Sequence, residues 1–130
     1  MNILDENILS EQRQLLQSWR ITVHQIGDSI GRKGMQDEEI IPLLHHLDSP
    51  TFFTRDGDFY RRHLCHSRYC LAYLDTGRYE VASFVRRLLR HQEFDTQAKR
   101  MGSVIRIFHG GLTVWYLHAE KEKRFDWGSK

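Results

Sequence analysis

Apolar residues in this chain come in short runs of two different periods, and several of the runs end on carboxylates. Ile3 and Leu4 mark a first strand over Asn2–Asp5, and Ile21–Ile26 alternates with β-branched residues as a second. Thr51–Thr54 reads as a third strand and Tyr69–Leu74 as a fourth, the latter ending in Asp75-Thr76-Gly77. Val104–Phe108 and Leu112–Leu117 are strand-like runs separated by His109-Gly110-Gly111, a hairpin signal. Between these lie segments of helical period. Ser10-Glu11-Gln12-Arg13 caps one, whose apolar face is Leu15, Leu16 and Trp19. Asp37-Glu38-Glu39-Ile40-Ile41 starts another, with acids placed to suit the helix dipole. Pro42 falls inside that pattern and predicts a shortened or kinked helix, which Leu43, Leu44 and Leu47 resume. Residues 78–92 carry the strongest pattern: Val81, Phe84, Val85, Leu88 and Leu89 inward, Arg86, Arg87 and Arg90 on the rim.

Strands and helices alternate to about residue 90, which predicts an α/β fold. Its sheet is mostly parallel, with helices on both faces and an antiparallel hairpin at the C-terminal edge. Gly27–Gly34 reads as a flexible basic surface loop, and Asp58–Arg62 as a short helical turn. Residues 119–130 read as a charged tail prone to fraying. With 130 residues and no linker or repeat, the chain is expected to form one domain over residues 1–130.

Composition narrows the class without naming it. The 40% apolar and 28% charged fractions suit a folded globular protein and exclude disorder. No run has the length of a membrane span, and the N-terminus lacks a basic segment followed by an apolar one, so a cytoplasmic protein without membrane partners is expected. Cys65 and Cys70 are too few for a disulfide framework. The net charge of +2 hides an asymmetry: residues 1–54 hold four Lys/Arg against eight Asp/Glu, and residues 55–130 hold fifteen against nine. The basic excess is mostly arginine, whose planar fork suits phosphate.

The candidate chemistry lies where apolar runs stop. A strand ending on a carboxylate places it at the carboxyl edge of the sheet, where open α/β folds collect ligands. Asp5 and Asp56 sit after such strands, Asp37 opens a helix between them, and Asp58 follows closely. Clustered carboxylates repel, so a group of this kind suits a hard divalent cation, with Asp5 and Asp56 as direct ligands and Asp37 and Asp58 acting through water or a second ion. Arg55, Arg61 and Arg62 are candidate phosphate contacts on the same edge. The plain alternative is that Asp5 and Asp56 merely end strands, Asp37 caps a helix, Asp58 belongs to a turn, and Arg55 pairs with Glu6 or Asp58. His63, Cys65, His66 and Cys70 offer zinc-type ligands, but not at the spacing of a common structural zinc site.

Leu4-Asp5-Glu6-Asn7, Asp37-Glu38-Glu39-Ile40-Ile41 and Phe53-Thr54-Arg55-Asp56-Gly57-Asp58-Phe59 together resemble the PIN superfamily, most closely its small stand-alone PIN-like branch. The resemblance covers roughly residues 1–75. It implies a three-layer α/β/α sandwich, Mg²⁺ or Mn²⁺ held by Asp5, Asp37, Asp56 and Asp58, and endoribonuclease activity on RNA. Thr54 matches a hydroxyl residue beside the third acid, and Glu6 is a secondary candidate. Many single-domain bacterial members are toxins of VapBC-type pairs, so a small antitoxin and a symmetric homodimer are the implied protein partners. The chain departs from the pattern in lacking a helix glutamate before Asp37; that region supplies only Asp28 in a loop. The departure keeps a second reading open, a non-catalytic PIN-like module that binds RNA or protein.

Overall fold

The computed structural model describes residues 1–128, and Ser129 and Lys130 lie outside the described residues. The elements run β1 (Asn2–Leu4), α1 (Ser10–Ser18), β2 (His24–Gln25), α2 (Asp37–His45), β3 (Thr51–Thr54), β4 (Cys70–Leu74), α3 (Val81–Arg90), α4 (Gln97–Arg100), β5 (Ser103–Phe108), β6 (Gly111–Tyr116) and β7 (Lys123–Phe125). The strands form one seven-stranded sheet in the order β2-β1-β3-β4-β5-β6-β7. The first five are mutually parallel, while β6 and β7 run antiparallel to their neighbours. The fold is thus the α/β sandwich that the alternation of periods predicts.

Two apolar clusters cover the two faces, because successive side chains along a strand point to opposite sides. Leu4, Phe53, Ala72, Ile105 and Val114 face one way and pack against Leu16 of α1 and Val81, Phe84, Val85 and Leu88 of α3. Ile3, Phe52, Leu71 and Val104 face the other way, onto Ile40 and Leu44 of α2 and onto Phe59. Burial on both faces explains why β1, β3 and β4 read as continuous apolar runs. Fully burying side chains of this size contributes roughly 1.5–3 kcal/mol each.

The crossovers are not all of one hand. The β1–α1–β2 and β4–α3–β5 connections step in opposite directions across the sheet, yet both helices pack on the same face. They therefore have opposite hands. In consequence α1 and α3 lie side by side: the Gln12 carboxamide oxygen accepts the Ala82 N–H at 2.8 Å, and the Arg86 guanidinium lies 3.7 Å from the Trp19 ring centroid. The other face has α2 over its β1 side. Beyond that it is covered by the β3–β4 connection, which makes two 3₁₀ turns at Gly57–Phe59 and Arg62–Leu64.

Several local expectations change. Pro42 lies inside α2, which resumes through Leu43 and Leu44 and ends at His45, short of Leu47. The second strand shrinks to His24–Gln25, because only those residues pair with β1. The Gly27–Gly34 loop is anchored: Gly27 N–H reaches the Ile30 carbonyl at 2.9 Å, and Gly34 N–H reaches a Glu6 carboxylate oxygen at 2.8 Å. The charged tail holds a seventh strand, with Arg124 opposite Thr113. Beyond it, the Trp127 indole donates to the Phe108 carbonyl at 2.8 Å and its ring packs on Phe84. A short strand with exposed Lys123 and Arg124 is how an edge avoids pairing with another chain, and such a strand carries no apolar alternation to detect.

Candidate acidic centre at the carboxyl edge

After β1 the chain leaves toward β2, and after β3 it leaves toward β4 on the other side. The crevice between the ends of β1 and β3 is therefore the topological switch point of the sheet. Asp5 and Thr54 are the residues there. The Asp5 N–H donates to the Phe53 carbonyl at 2.9 Å, which extends the ladder by one step and fixes the carboxylate beside β3. Thr54, fully buried, donates its hydroxyl to Asp5 Oδ2 at 2.6 Å and accepts the Asp56 N–H at 3.0 Å. One hydroxyl thus joins the ends of two strands. The Glu6 N–H occupies Asp5 Oδ1 at 2.7 Å.

Asp56 then caps the 3₁₀ turn by accepting the Asp58 N–H at 2.9 Å, which brings both carboxylates forward. Asp37, the first residue of α2, meets them from across the crevice. One carboxylate oxygen from each of Asp37, Asp56 and Asp58 lies within 4.8 Å of the others. Asp5 is next to this trio and not among it. It couples to the trio electrostatically, and its carboxylate already serves Thr54 and Glu6.

The electrostatics follow the geometry. Burial holds the Asp5 carboxyl above its ordinary value, opposed by the hydrogen bonds from Thr54 and Glu6 and reinforced by the charges of Asp56 and Glu6. Asp37 is raised as well: partial loss of solvent leads, followed by the charges of Asp56, Asp5, Asp58 and Glu38. Among the described ion pairs, Arg61 alone meets one of the four acids, at 3.3 Å from Asp58 on an exposed surface. Beside the trio a groove of about 270 Å³ is lined by Asp37, Ile41, Asp58, Phe59, Arg61 and His63. A larger open depression of about 500 Å³, at Arg90, His91, Phe125 and Trp127, lies on the other face beside the end of α3 and away from the acids.

The donor set suits a hard cation. At Mg–O distances of about 2.1 Å, oxygens on one ion lie at most about 4.2 Å apart, so the trio needs a small closure or one intervening water. The remaining residues named by sequence sort as follows. Arg55 donates from Nε and Nη2 to the Thr76 carbonyl at 3.2 and 3.1 Å, and neither Glu6 nor Asp58 is its partner. Arg61 is in the centre through Asp58, whereas Arg62 points away, its guanidinium 5.5 Å from the Trp115 ring. Glu6 clamps the Gly27–Gly34 loop through its carboxylate. Asp28 pairs with Arg13 at 3.4 Å and does not join the acids. Cys70 is buried against Ser103 and Cys65 donates to the Trp115 carbonyl, so both thiols have structural roles.

Sequence reasoning missed the residue that shapes the loop after Asp5. Gln25 is buried, and its amide nitrogen donates to the carbonyls of Asp5 at 3.0 Å, Glu6 at 3.3 Å and Ile8 at 2.7 Å. Its oxygen accepts Arg13 Nη1 at 2.7 Å. The available signal was a glutamine between the β-branched residues of the strand-like run Val23-His24-Gln25-Ile26.

No protein-family model matches this chain, and no curated protein or solved structure gives a significant match. No helix among the described residues is long and apolar enough to cross a membrane.

Proposed function

We propose that this protein is a divalent-metal-dependent endoribonuclease whose centre is Asp37, Asp56 and Asp58 with Asp5 behind them. The observation that carries the reading is the convergence of three carboxylates within 4.8 Å at the switch point of the sheet, with a single exposed arginine paired to them among the described residues. Carboxylates from a helix start and a strand-end turn do not gather for packing reasons, since their mutual repulsion works against the fold. The resemblance of the three acidic motifs to the PIN-like branch supports the same chemistry.

Mg²⁺ or Mn²⁺ bound there would supply Lewis acidity toward a phosphodiester and favour the hydroxide form of its water. The chain supplies the arrangement. Thr54 holds Asp5 Oδ2 in place and fixes the Asp56 backbone, so two acids keep their spacing without metal. Arg61, exposed beside Asp58, is free to exchange its surface ion pair for a substrate phosphate. The physiological role that goes with this activity, a toxin restrained by a small antitoxin, rests on the resemblance alone.

The test is cleavage of mixed RNA with Mn²⁺ or with EDTA, comparing wild type with Asp56→Asn and Asp5→Asn. Cleavage by wild type with Mn²⁺ alone, lost in Asp56→Asn, is the expected outcome. A metal-bound protein that leaves RNA intact would favour the binding-module reading, and cutting in EDTA would remove the acidic centre from the mechanism.

A further inference from the structure

The sheet face that carries Asp5 and Thr54 continues toward β7 as a polar row. Thr54 lies opposite Tyr73, Tyr73 opposite Arg106, Arg106 opposite Thr113, and Thr113 opposite Arg124, so all five side chains share one face. Phe108, two residues after Arg106, is on the same face. Two guanidiniums lie near its ring, Arg106 at 4.3 Å and Arg124 at 5.3 Å from the centroid. Among the described residues no helix covers this part of the sheet, because α3 packs on the opposite face. Tyr60 reaches across from the β3–β4 connection, its hydroxyl 2.9 Å from Thr113 Oγ1 and bonded also to Glu122, with its ring 6.4 Å from that of Tyr73. Tyr73, Arg106 and Phe108 are half-buried, and Arg124 is exposed.

Each arginine is held by its neighbours. Arg106 donates from Nε and Nη2 to Asp75 Oδ2 at 3.0 and 2.8 Å, Arg124 donates from Nη2 to the Gly110 carbonyl at 3.2 Å, and Arg55 is fixed on Thr76. A guanidinium has five N–H donors, and these contacts engage only part of each set. Beyond the acidic centre, the carboxylates in contact with the row are Asp75, Glu122 and Asp126 among the described residues. Asp126 stands 4.0 Å from Arg124, and Glu122 is engaged by Tyr60. Against them stand Arg55, Arg62, Arg106 and Arg124.

We infer that this row is a track for an unpaired RNA strand leading to the acidic centre; the inference rests on the nuclease reading above. Alternating aromatic and guanidinium planes, half-buried or exposed along a sheet face that Tyr60 bridges at Thr113, suit bases that are free to stack, with cations to meet the phosphates between them. A duplex keeps its bases stacked on each other and would meet only the charges. From β3 to β7 the row crosses four strand spacings, about 19 Å at about 4.8 Å each, room for a short stretch of strand.

The test is fluorescence anisotropy in EDTA with a labelled, unstructured single-stranded RNA, and with the same RNA annealed to its complement. Wild type should prefer the single strand by about tenfold or more, and Phe108→Leu and Arg124→Gln should each weaken that binding by about five- to tenfold. Arg124→Gln should also make the salt dependence shallower by about one unit of log–log slope, whereas Arg90→Gln on α3 should bind as wild type does. Equal affinity for duplex, or wild-type binding by both variants, overturns the track. If binding and variants behave as expected but Mn²⁺ produces no cleavage, the track stands and the nuclease reading falls. If Mn²⁺-dependent cleavage appears while the variants bind normally, the nuclease reading stands and the track falls.

Discussion

The two ends of the parallel sheet treat polar groups in opposite ways. At the amino end a cation is buried: Arg100 is 4% exposed, donates Nε to Thr51 Oγ1 at 2.9 Å and Nη1 to the Phe94 carbonyl at 2.7 Å, and faces neutral acceptors. Ser103 completes the arrangement by donating to the Arg100 carbonyl at 2.6 Å. Burial lowers the Arg100 pKa from its ordinary value. At the carboxyl end Asp37, Asp56 and Asp58 stand together with like charges facing and one surface arginine alongside. Polar groups retained for the fold are paired with complementary partners. The three acids at the carboxyl end are close enough to hold a divalent cation, which is the proposal made above.

The largest expected effect breaks the amino end. Arg100→Ala leaves Thr51 and Phe94 without their donor and opens a cavity, and should destabilise by about 3–5 kcal/mol in urea unfolding, with metal affinity scarcely altered in protein that remains folded. A loss under 1 kcal/mol would show that the amino end is not the better-satisfied one. Thr54→Val is next. It keeps the shape but strands Asp5 Oδ2 and the Asp56 N–H, and should lose about 1–3 kcal/mol. It should also weaken Mn²⁺ binding, because Asp5 and Asp56 lose their shared anchor.

Asp37→Asn sharpens the contrast with a change of sign. The native pKa of Asp37 lies above its unfolded value of 3.8. The stability linked to it is therefore complete below pH 3.8 and is lost as pH rises through the native pKa. Metal-free Asp37→Asn should melt slightly above wild type at pH 7, by about a few tenths of a kcal/mol given its exposure, and the gap should close as pH falls toward 3.8. A gap that widens on acidification would contradict the repulsion. The smallest effect belongs to Arg61→Gln. Removing an exposed pair should shift stability by no more than about 0.5 kcal/mol. Mn²⁺ affinity should rise a few-fold, as read by calorimetric titration, because a competing cation is gone.

The sequence made the order of elements legible where burial imposed a pattern. Ile3-Leu4, Phe52-Phe53 and Leu71-Ala72 are apolar on both faces because helices or 3₁₀ turns cover both, and the ends of those runs place Asp5 and Asp56 at one edge. The start of α2 placed Asp37 by its run of acids. What escaped notice depended on partners distant in the chain. Gln25 reads as an ordinary strand residue until the Asp5–Ile8 carbonyls turn toward it, and Arg100 reads as one more surface cation until Thr51 and Phe94 enclose it. Likewise Arg86 and Arg87 read as part of a solvated helix rim, and Arg106 as one more basic residue of the second half. Arg86 instead stacks on Trp19, Arg87 on Trp127, and Arg106 holds Asp75 while stacking on Phe108. The strand β7 was hidden because an edge strand with outward charges has no apolar period.

The central claim is that the carboxyl edge is a divalent-cation centre, and thermal melting across a Mn²⁺ titration tests it most directly. Ligand that binds only the native state raises stability by RT ln(1 + [L]/Kd), so the wild-type Tm should climb with Mn²⁺ while the Asp56→Asn variant stays flat after starting at or above wild type without metal. Parallel curves for the two proteins, or a wild-type Tm indifferent to Mn²⁺ at millimolar concentration, would contradict it.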